Sequence, residues 1–416
     1  MGMHKHEIVV VGSGAGGATV ARDLSRAGAG VLIVEAGPDA FPLPLSIATS
    51  KEGIDMYQAF GAGGATVLCN GNGVRALEQD LAGFGIDLAG EYGELEAELP
   101  IAPISESLLS GNGSLKLLEI LNTSGIHMKR MPKFIDPTKC VGCGMCSLGC
   151  PNGAKWNAGE FLGDALSHGA EIVYNTRVER VLIENNRAAG VELSGLTGTE
   201  QVAADTVILA AGGLNTPVIL RNSGFHRAGR GLFVDLCEIW TGVTPQIDIS
   251  AEPPMQLVYT DMAQSHRISL STVYVNNKEK LHYYFGDKAG LYLNANWMGI
   301  LVKIGDESVG EVFADGTVSK GVTQEDRKKF ERGGVAARDI LRNAGASNES
   351  IVKLDKIYGG HNGGTAAIGQ LVNTDLQTEV SNLFVCDGSV LPFAPGLPPI
   401  LTILALARRL ARHLLR

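Results

Sequence analysis

The stretch Glu7-Ile-Val-Val-Val-Gly12-Ser-Gly14-Ala-Gly-Gly17 places an unbroken apolar run directly before a glycine-rich turn. Such a run predicts a short strand buried on both faces of a parallel sheet. Residues 18–27 then predict a helix with its charged side chains on one side, and residues 30–35 predict a second strand. That strand ends at Glu35, 23 positions after Gly12. The order of strand, glycine-rich turn, helix, strand and acid is typical of a unit that binds an adenine dinucleotide.

The residue types in this unit each have a physical reason. Gly12, Gly14 and Gly17 permit a tight turn and let a pyrophosphate approach the N-terminus of the helix. Glu35 is expected to accept hydrogen bonds from ribose hydroxyls. A purely structural turn would leave the acid at the end of the second strand unexplained.

A second pattern, Cys140-Val-Gly-Cys143-Gly-Met-Cys146-Ser-Leu-Gly-Cys150-Pro151, has the spacing C-x2-C-x2-C-x3-C-P. Bacterial ferredoxins hold iron–sulfur clusters with this run. The predicted ligands of a [4Fe–4S] cluster are therefore Cys140, Cys143, Cys146 and Cys150. Because the fourth cysteine of such a run can serve a second cluster, Cys69 or Cys237 could be the fourth ligand instead, and a [3Fe–4S] centre stays open.

Two other interpretations of the cysteines remain. A tetrahedral zinc site with four cysteine ligands would use the same sulfur donors. Disulfides are disfavoured because the chain has 7 cysteines, an odd number, and its N-terminus shows no secretion signal. Cys69, Cys237 and Cys386 lie in apolar or glycine-rich surroundings, so by default they are buried core residues.

Composition excludes several classes of function. The length of 416 residues favours two or three domains. A net charge of −9 with no basic block makes nucleic acid an unexpected partner. No run of 18 apolar residues occurs, so no membrane span is expected, and the arginines of the last helix interrupt the one candidate. A cytoplasmic location, where thiols stay reduced, is the expectation.

The rest of the chain predicts two kinds of sheet. Residues 172–183 predict a strand, a turn and a strand, and residues 206–213 predict another buried strand. From about residue 231 to 304, alternation and aromatic residues predict an antiparallel sheet, with strands that include 281–285 and 291–293. Thr323 and Asp326 have the capping-box pattern of a helix that ends near residue 344. Pro399 is expected at the first position of the last helix.

Six segments, spread from one end of the chain to the other, match the pattern of one family. They are Val11–Gly17, Val34–Pro38, Gly61–Gly64, Ala210–Pro217, His361–Thr365 and Asn382–Ser389. In this order they resemble the glucose–methanol–choline (GMC) oxidoreductase family of FAD enzymes. The resemblance implies FAD rather than NAD as the bound dinucleotide.

The resemblance also implies where FAD is held. It assigns Gly12, Gly14, Gly17 and Glu35 to the ADP half of the cofactor. It assigns Gly63, Gly64 and Asn70 to the neighbourhood of the pyrophosphate and flavin, and the Val178 backbone to the adenine side. It adds Ala211, Gly212, Asp387, Gly388 and Pro399, the last at a helix N-terminus that would face the flavin ring.

The predicted fold class is α/β (α+β overall), a Rossmann-like FAD-binding domain with a smaller antiparallel-sheet substrate domain and a cysteine-rich loop insertion. The FAD-binding domain would comprise residues 1–125, 159–228 and 358–416. The iron–sulfur insertion would comprise residues 126–158, and the substrate domain residues 229–357.

His361 resembles the active-site histidine of the family, which implies a base that takes the alcohol proton while hydride leaves for the flavin. Asn362 is the second catalytic candidate. The sequence departs from the family at Pro398, where relatives carry a second His or Asn, because proline cannot donate a hydrogen bond. Asn362 or His282 could compensate. Leu68 or Cys69 stands where some members link FAD to a histidine, so no such link is expected.

The leading interpretation is an FAD-dependent dehydrogenase that oxidises a CH–OH group and passes electrons through a [4Fe–4S] cluster to a one-electron acceptor. The expected partners are an alcohol or carbonyl substrate and a carrier such as a ferredoxin or cytochrome, or a partner subunit. Three alternatives stay open: an electron-transfer subunit without its own substrate, a ferredoxin-driven reductase, and an oxygen-using alcohol oxidase with a structural zinc site.

Overall fold

The computed structural model describes residues 5–40, 43, 45–109, 113–195, 198–274, 281–282, 286–292 and 296–416. The strands are β1 (Lys5–Val11), β2 (Val31–Val34), β3 (Leu45–Thr49), β4 (Asp55–Ala59), β5 (Ile101–Pro103), β6 (Lys129–Arg130), β7 (Pro132–Phe134), β8 (Glu171–Val173), β9 (Arg177–Glu184), β10 (Arg187–Gly195), β11 (Gly198–Leu209), β12 (Arg230–Leu232), β13 (Cys237–Val243), β14 (Leu257–Tyr259), β15 (Ile268–Val273), β16 (Trp297–Ile304), β17 (Gly310–Val312), β18 (Val318–Ser319), β19 (Val352–Lys353), β20 (Tyr358–Gly359) and β21 (Leu383–Val385). The α-helices are α1 (Ala15–Arg26), α2 (Glu78–Gly83), α3 (Ala89–Glu98), α4 (Ser114–Thr123), α5 (Ala158–Ser167), α6 (Thr216–Asn222), α7 (Ala263–His266), α8 (Ala289–Tyr292), α9 (Gln324–Asn343) and α10 (Ile400–Leu414).

One sheet is built around the first strand of the chain. Its order is β8–β2–β1–β11–β10–β9, and β21 also pairs with β11. The pairs among β8, β2, β1, β11 and β21 are parallel, whereas β9, β10 and β11 form an antiparallel meander. β2 is buried at all four positions, as expected for a strand covered on both faces. The strand that comes last in the sequence thus lies beside a strand from the middle of it.

A second sheet lies beside the first and is mostly antiparallel. Its order is β3–β4–β20–β13–β16–β15–β14–β6, with β19 also paired to β13. All eight residues of β16 are buried, and α9 packs its apolar side on this sheet. The sheet draws strands from residues 45–59 and 129–130 as well as from the 231–304 region. Short sheets of three and two strands, β12–β17–β18 and β5–β7, complete the structure as described.

Four helices form one layer beside the first sheet. α1 packs against both α5 and α10, and α10 packs against α3. Arg22 of α1 is fully buried and makes an ion pair with Glu98 at the end of α3, 2.7 Å between Nη1 and Oε1. Arg408 of α10 also bonds Glu98, and Asp23 bonds both arginines. Charged groups thus hold the outer edge of this layer together.

The structure confirms the predicted α/β fold class and most of the predicted elements. The capping box is present, because Thr323 and Asp326 bond each other's backbone amide at the start of α9. α1 begins at Ala15, three residues before the prediction, and α10 begins at Ile400, so Pro399 is its N-cap residue.

Two strand predictions, 281–285 and 291–293, are wrong where they can be compared with the structure. Leu281 and His282, and likewise Leu291 and Tyr292, have helical backbones, so the expected strands are not formed there. The remaining residues of those two predicted strands lie outside the described part of the chain. Among the helices that the structure describes, none is both long and apolar enough to cross a membrane.

Candidate active site

A cavity of about 1060 Å³ lies between the two sheets. The first sheet contributes the ends of β1, β2 and β11, and the second contributes β4, β13 and β16. Ligands of open parallel sheets bind at the carboxyl ends of the strands, which is where β1, β2 and β11 meet the cavity. The walls are more apolar than polar, and the N-terminal ends of α1 and α10 both reach the cavity.

The glycine-rich turn after β1 fits tightly on one side and is open on the other. A Cβ atom added at Gly12 or Gly17 would overlap a backbone carbonyl oxygen, that of Ala210 or of Gly12 respectively. Gly16 is equally crowded by the carbonyl of Cys386, next to β21. A Cβ atom added at Gly14 would meet no atom of the protein within 4 Å, so this side of the turn borders open space. The turn therefore leaves room for a group to approach the backbone at Gly14.

Two buried carboxylates shape the cavity by holding its loops. Glu35 accepts from the backbone amides of Ser13, Gly37 and Gly61 at 2.8–3.0 Å, and from the Ser13 hydroxyl at 2.7 Å. Asp387 accepts from the amide of Gly212 at 2.8 Å, and it also bonds Thr216 and Ser389. An ionised carboxylate accepts about four hydrogen bonds, so each acid is fully used by the protein. The ribose contact expected of Glu35 stays a prediction.

The structure brings most of the predicted cofactor residues to one place. Eleven of the thirteen line the cavity: Gly12, Gly14, Glu35, Gly64, Asn70, Val178, Ala211, Gly212, Asp387, Gly388 and Pro399. The other two, Gly17 and Gly63, pack within the protein behind the wall. Gly17 lets α1 approach β1, and Gly63 has a positive φ of 83° and lies against the start of α5. Both glycines thus serve the packing of the loops that surround the cavity.

The residues of the cavity fit a dinucleotide such as FAD. The N-terminus of α1 has no side-chain cap and no acid in its first turn, so its amides are available to a phosphate. Two buried acceptors that line the cavity, Asn70 Oδ1 and Asn362 Oδ1, have no partner among the described residues. Buried polar atoms are nearly always satisfied, which indicates that a ligand completes these two.

His361 lies in the wall of this cavity, beside two charged side chains. Its Nδ1 lies 2.9 Å from Asp235 Oδ2, and Lys303 Nζ lies 3.2 Å from Nδ1 and 3.5 Å from Nε2. Burial, together with the positive charge of Lys303, holds the pKa of His361 well below its usual range near 6.5. The imidazole is therefore neutral at neutral pH, and Asp235 accepts the hydrogen of Nδ1–H. This leaves the lone pair on Nε2.

Asp235 itself is buried, and two of its bonds fix it in place. Oδ1 accepts from the Gly396 amide at 2.8 Å, and Oδ2 faces His361. Burial raises the pKa of Asp235 to about 7, against the opposing charge of Lys303 and the bond from Gly396. Its φ of 51° is unusual for a residue other than glycine or asparagine. A strained and buried acid next to a histidine is typical of a functional position.

Most of the other residues predicted for the active site line the cavity, but one does not. Asn362, which lines the cavity, donates from Nδ2 to the Tyr57 carbonyl at 3.0 Å, and its buried Oδ1 has no partner among the described residues. Pro398 also lines the cavity and offers no donor. His282, which could have compensated for Pro398, is exposed and does not line the cavity. Leu68 and Cys69 both line it.

The cysteine run lies at the edge of the same cavity. Cys143 and the following residues to Leu148 contribute to its wall. The four sulfurs do not form a closed ligand set here, since no three His, Cys, Asp or Glu side chains in the described ranges are grouped to hold a metal ion. All seven cysteines are free.

Several donors nevertheless face the cysteine sulfurs. The Lys155 amide donates to Cys150 Sγ at 3.3 Å, and the Gly142 amide bonds Cys140. The ammonium groups of Lys133 and Lys155, both buried, lie on the inner side of the run. Burial raises the pKa of Cys146 to about 11, and the two lysine charges oppose that rise.

Four charged residues of the site were not predicted from the sequence: Asp235, Lys303, Lys133 and Lys155. A signal existed for Lys303, because it is the one charged residue in the apolar run Trp297-Met-Gly-Ile-Leu-Val-Lys-Ile304. Asp235 stands similarly within Leu232-Phe-Val-Asp-Leu-Cys237. A charged residue in a fully buried strand is rarely tolerated unless it is paired or used. Lys133 stands in the short strand β7 and Lys155 in the segment before α5, and neither interrupts a long apolar run that would have given such a signal.

A two-sheet protein that brings a dinucleotide cradle and a neutral, oriented histidine into one cavity is of the class of dinucleotide-dependent oxidoreductases. The chain belongs to the GMC oxidoreductase family. Profiles of that family, described as GMC oxidoreductase, match residues 102–237 and 317–407. It is therefore an FAD-binding oxidoreductase of the kind that acts on CH–OH groups.

Individual relatives extend over nearly the whole chain. An uncharacterised protein of Methanocaldococcus jannaschii is 28% identical over 420 residues, covering 99% of this chain and 100% of its own. A long-chain-alcohol oxidase of Arabidopsis thaliana is 25% identical, covering 95% of this chain and 65% of its own. The crystal structure of pyridoxine 4-oxidase from Mesorbium loti has a TM-score of 0.77 at 18% identity, covering 98% of this chain and 99% of its own. That similarity confirms the fold.

Proposed function

We propose that the protein is an FAD-dependent dehydrogenase that oxidises an alcohol, with His361 as the base that takes the hydroxyl proton. The observation that carries the proposal is the place of His361 in the same cavity as the Gly12–Gly17 turn and the N-terminus of α10. When bound, FAD supplies the acceptor for the hydride that leaves the carbinol carbon.

The residues around His361 suit this role. Asp235 holds Nδ1–H, which fixes the tautomer and leaves Nε2 as the basic atom. The low pKa keeps Nε2 without a proton before the reaction. Asn362, the second catalytic candidate, has a free Oδ1 that can accept from a ligand hydroxyl or amide. An alcohol substrate is also supported by the names of relatives, a long-chain-alcohol oxidase and a pyridoxine 4-oxidase.

We infer further that Cys140, Cys143, Cys146 and Cys150 hold a [4Fe–4S] cluster, which would supply a one-electron exit from the flavin site. The ferredoxin spacing supports this inference, as do the amide donors to Cys140 and Cys150. The position of the run also supports the inference, because Cys143 lines the cavity that would hold FAD. Val141, Met145 and Leu148 expose apolar side chains around the run, which suits a carrier protein or partner subunit.

The base is tested by His361→Ala, with His266→Ala, an exposed histidine, as the matched control. Anaerobic stopped-flow reduction of the flavin by a panel of primary and secondary alcohols is the measurement. We expect His361→Ala to slow reduction on the order of 10²- to 10⁴-fold and the control to leave it unchanged. Reduction of the His361 variant at the wild-type rate would remove His361 from this role.

The electron exit is tested by metal, sulfide and flavin analysis with an electron paramagnetic resonance spectrum, on anaerobically purified protein. We expect about four iron and four sulfide per FAD and a reducible cluster signal. One zinc without sulfide would overturn the cluster and point to oxygen as acceptor. A cluster together with a flavin that no alcohol reduces would instead favour an electron-transfer subunit or a reductase.

A further inference from the structure

Lys303 is a buried cation in the wall of the cavity. It belongs to β16, whose eight residues are all buried, and its own exposed fraction is 6%. Among the residues that the structure describes, no carboxylate lies within ion-pair distance of its ammonium, and its hydrogen-bond contact is with His361. A buried charge is costly unless it is paired or hydrogen-bonded, so this placement calls for a reason.

The protein offers too few acceptors for this ammonium. An ammonium has three N–H donors. Nδ1 of His361 donates to Asp235 and so cannot accept, which leaves Nε2 as the acceptor on the ring. Asp235 is not saturated by its bonds to His361 and the Gly396 amide, but among the described residues no hydrogen bond or ion pair joins its carboxylate to the Lys303 ammonium. Donors of Lys303 thus remain for a ligand in the cavity.

The pair of Lys303 and His361 matches the bonding capacity of a hydroxyl group. An alcohol oxygen carries one hydrogen to donate and two lone pairs that accept. Nε2 of His361 can accept that hydrogen while Lys303 Nζ donates to the same oxygen, because the two atoms are only 3.5 Å apart. Pro398 cannot supply the donor, since proline has neither an N–H nor a polar side chain.

We propose that Lys303 contacts the hydroxyl oxygen of the substrate and forms, with His361, the two-point site that holds the reacting alcohol. The second polar group of the active site is thus supplied by β16 of the second sheet and not by the residue position before α10. This inference rests on the proposed alcohol oxidation and assigns its second polar contact.

In the reaction, the O–H bond breaks and its proton passes to His361 Nε2. The C–H bond breaks and its hydrogen leaves as hydride with both electrons, which makes the alcohol a carbonyl; FAD held against the Gly12–Gly17 turn and the N-terminus of α10 would supply the two-electron acceptor. Negative charge grows on the oxygen as its proton departs, and the ammonium of Lys303 stabilises that charge in a cavity whose walls are more apolar than polar.

The experiment uses the FAD-loaded enzyme and Lys303→Met, which keeps the length of the side chain and removes its charge. Lys353→Met is the control, because Lys353 is an exposed lysine on β19 of the same sheet. We expect Lys303→Met to slow flavin reduction by alcohols on the order of 10²- to 10³-fold, mainly in kcat, and the control to match the wild type. Rescue of Lys303→Ala by added ethylamine would separate loss of the ammonium from misfolding.

A second measurement does not depend on turnover. Nuclear magnetic resonance titration of the labelled His361 ring reports its protonation in each variant. The charged groups that act on this ring and its partner are Lys303, Asp235 and, from further away, Arg267 and Lys329. Removal of the Lys303 charge should raise the pKa of His361, and Lys353→Met should not.

The outcomes separate the two proposals. If the wild type and Lys303→Met reduce flavin within threefold of each other, the role of Lys303 is wrong and alcohol oxidation stands. If His361 titrates differently in Lys303→Met but reduction is unchanged, Lys303 acts on the ring without contacting substrate, which also overturns the proposal. If no alcohol reduces the wild-type flavin, the proposed function fails, and the Lys303 inference fails with it.

Discussion

The state of His361 is set by two neighbours of opposite charge. Asp235 accepts the hydrogen of Nδ1, and Lys303 places a positive charge beside the ring. A cation beside an imidazole disfavours the protonated ring, and burial acts in the same direction. The ring is thus poised to receive a proton only when one is released next to it.

This arrangement predicts the acid limb of the pH profile. The base acts in its neutral form, so flavin reduction should be at its maximum above the pKa of His361 and fall as the pH drops through it. Because that pKa lies well below 6.5, protonation of Nε2 should not slow the reaction between pH 8 and about 6. Asp235, whose pKa burial raises to about 7, takes up a proton within this range and then no longer fixes the tautomer of His361, so a fall in rate near pH 7 would belong to Asp235. The measurement is anaerobic flavin reduction as a function of pH in the wild type and in Asp235→Asn. A midpoint at or above 6.5 that persists in Asp235→Asn would contradict the arrangement.

Some residues of the site could be predicted from the sequence and others could not. His361 could be found because its Gly-Gly-Thr context is local, whereas its partners Asp235 and Lys303 lie 126 and 58 positions away. No local pattern states which strands will be neighbours. The strand pairing of β13 with β16 is what brings Lys303 next to the chain that follows Asp235.

The turn between β1 and α1 separates two functions of glycine. Gly17 is needed for the packing of α1 on the sheet, since a Cβ there would overlap the Gly12 carbonyl. Gly14 is not crowded by the protein at all, and its φ of −73° suits any residue. The same short segment thus contains a glycine that the fold requires and one that only a ligand would require.

We therefore expect Gly14→Ala and Gly17→Ala to fail in different ways. Gly14→Ala should fold with the stability of the wild-type apoprotein and bind FAD at least tenfold more weakly, about 1.4 kcal/mol. Gly17→Ala should lower the free energy of unfolding by about 1–3 kcal/mol, because the helix must shift away from the strand. Isothermal titration with FAD and denaturation of the apoprotein measure the two effects. Equal FAD affinity of Gly14→Ala and the wild type would show that the cofactor does not approach at Gly14.

The elements of the first sheet could be read from the sequence more fully than those of the second. β2 is a continuous apolar run, β1 and β11 each end in one next to glycines, and α9 carries its capping box. β3 and β4 are short, with no buried residue in β3 and a single one in β4, yet they form one edge of the second sheet. The two strands pair with each other, but β4 joins the rest of the sheet through β20, some 300 residues later, which no local signal can report.

The helical layer outside the first sheet is joined by a charge network rather than by apolar contact alone. Glu98 bonds the buried Arg22 of α1 and the nearly buried Arg408 of α10. Burial acts to raise the pKa of Glu98, but the bonds and charges of the two arginines outweigh it and hold the pKa below its usual 4.5. A carboxyl group whose pKa is lower in the folded than in the unfolded state stabilises the fold at pH values above its unfolded-state pKa. This contribution to the free energy of unfolding is lost as the pH falls through the folded-state pKa.

Two matched variants of α3 test the network. Glu98→Gln leaves the arginines facing one another and should lower the free energy of unfolding by about 1–3 kcal/mol. Glu96→Gln removes an exposed pair with Arg75, and we expect a loss of about 0–1 kcal/mol. Denaturant unfolding at pH 7 and pH 4 gives both values, and the difference between Glu98→Gln and the wild type should shrink at the lower pH. An equal loss of unfolding free energy in the two variants would show that the buried arginines contribute no more than an exposed ion pair.

The contact of Gly16 with the chain at Cys386 ties the cradle to a segment far later in the sequence. The turn that begins at residue 12 cannot take its final shape until β21 has entered the sheet, because the Cys386 carbonyl forms its floor. During synthesis the ribosome releases these two parts far apart in time, at roughly 5–20 residues per second. The turn therefore stays incomplete for tens of seconds during synthesis, and we expect FAD to bind only after translation ends. A chain truncated before β21 would lack the carbonyl that completes the turn, so it should not bind FAD.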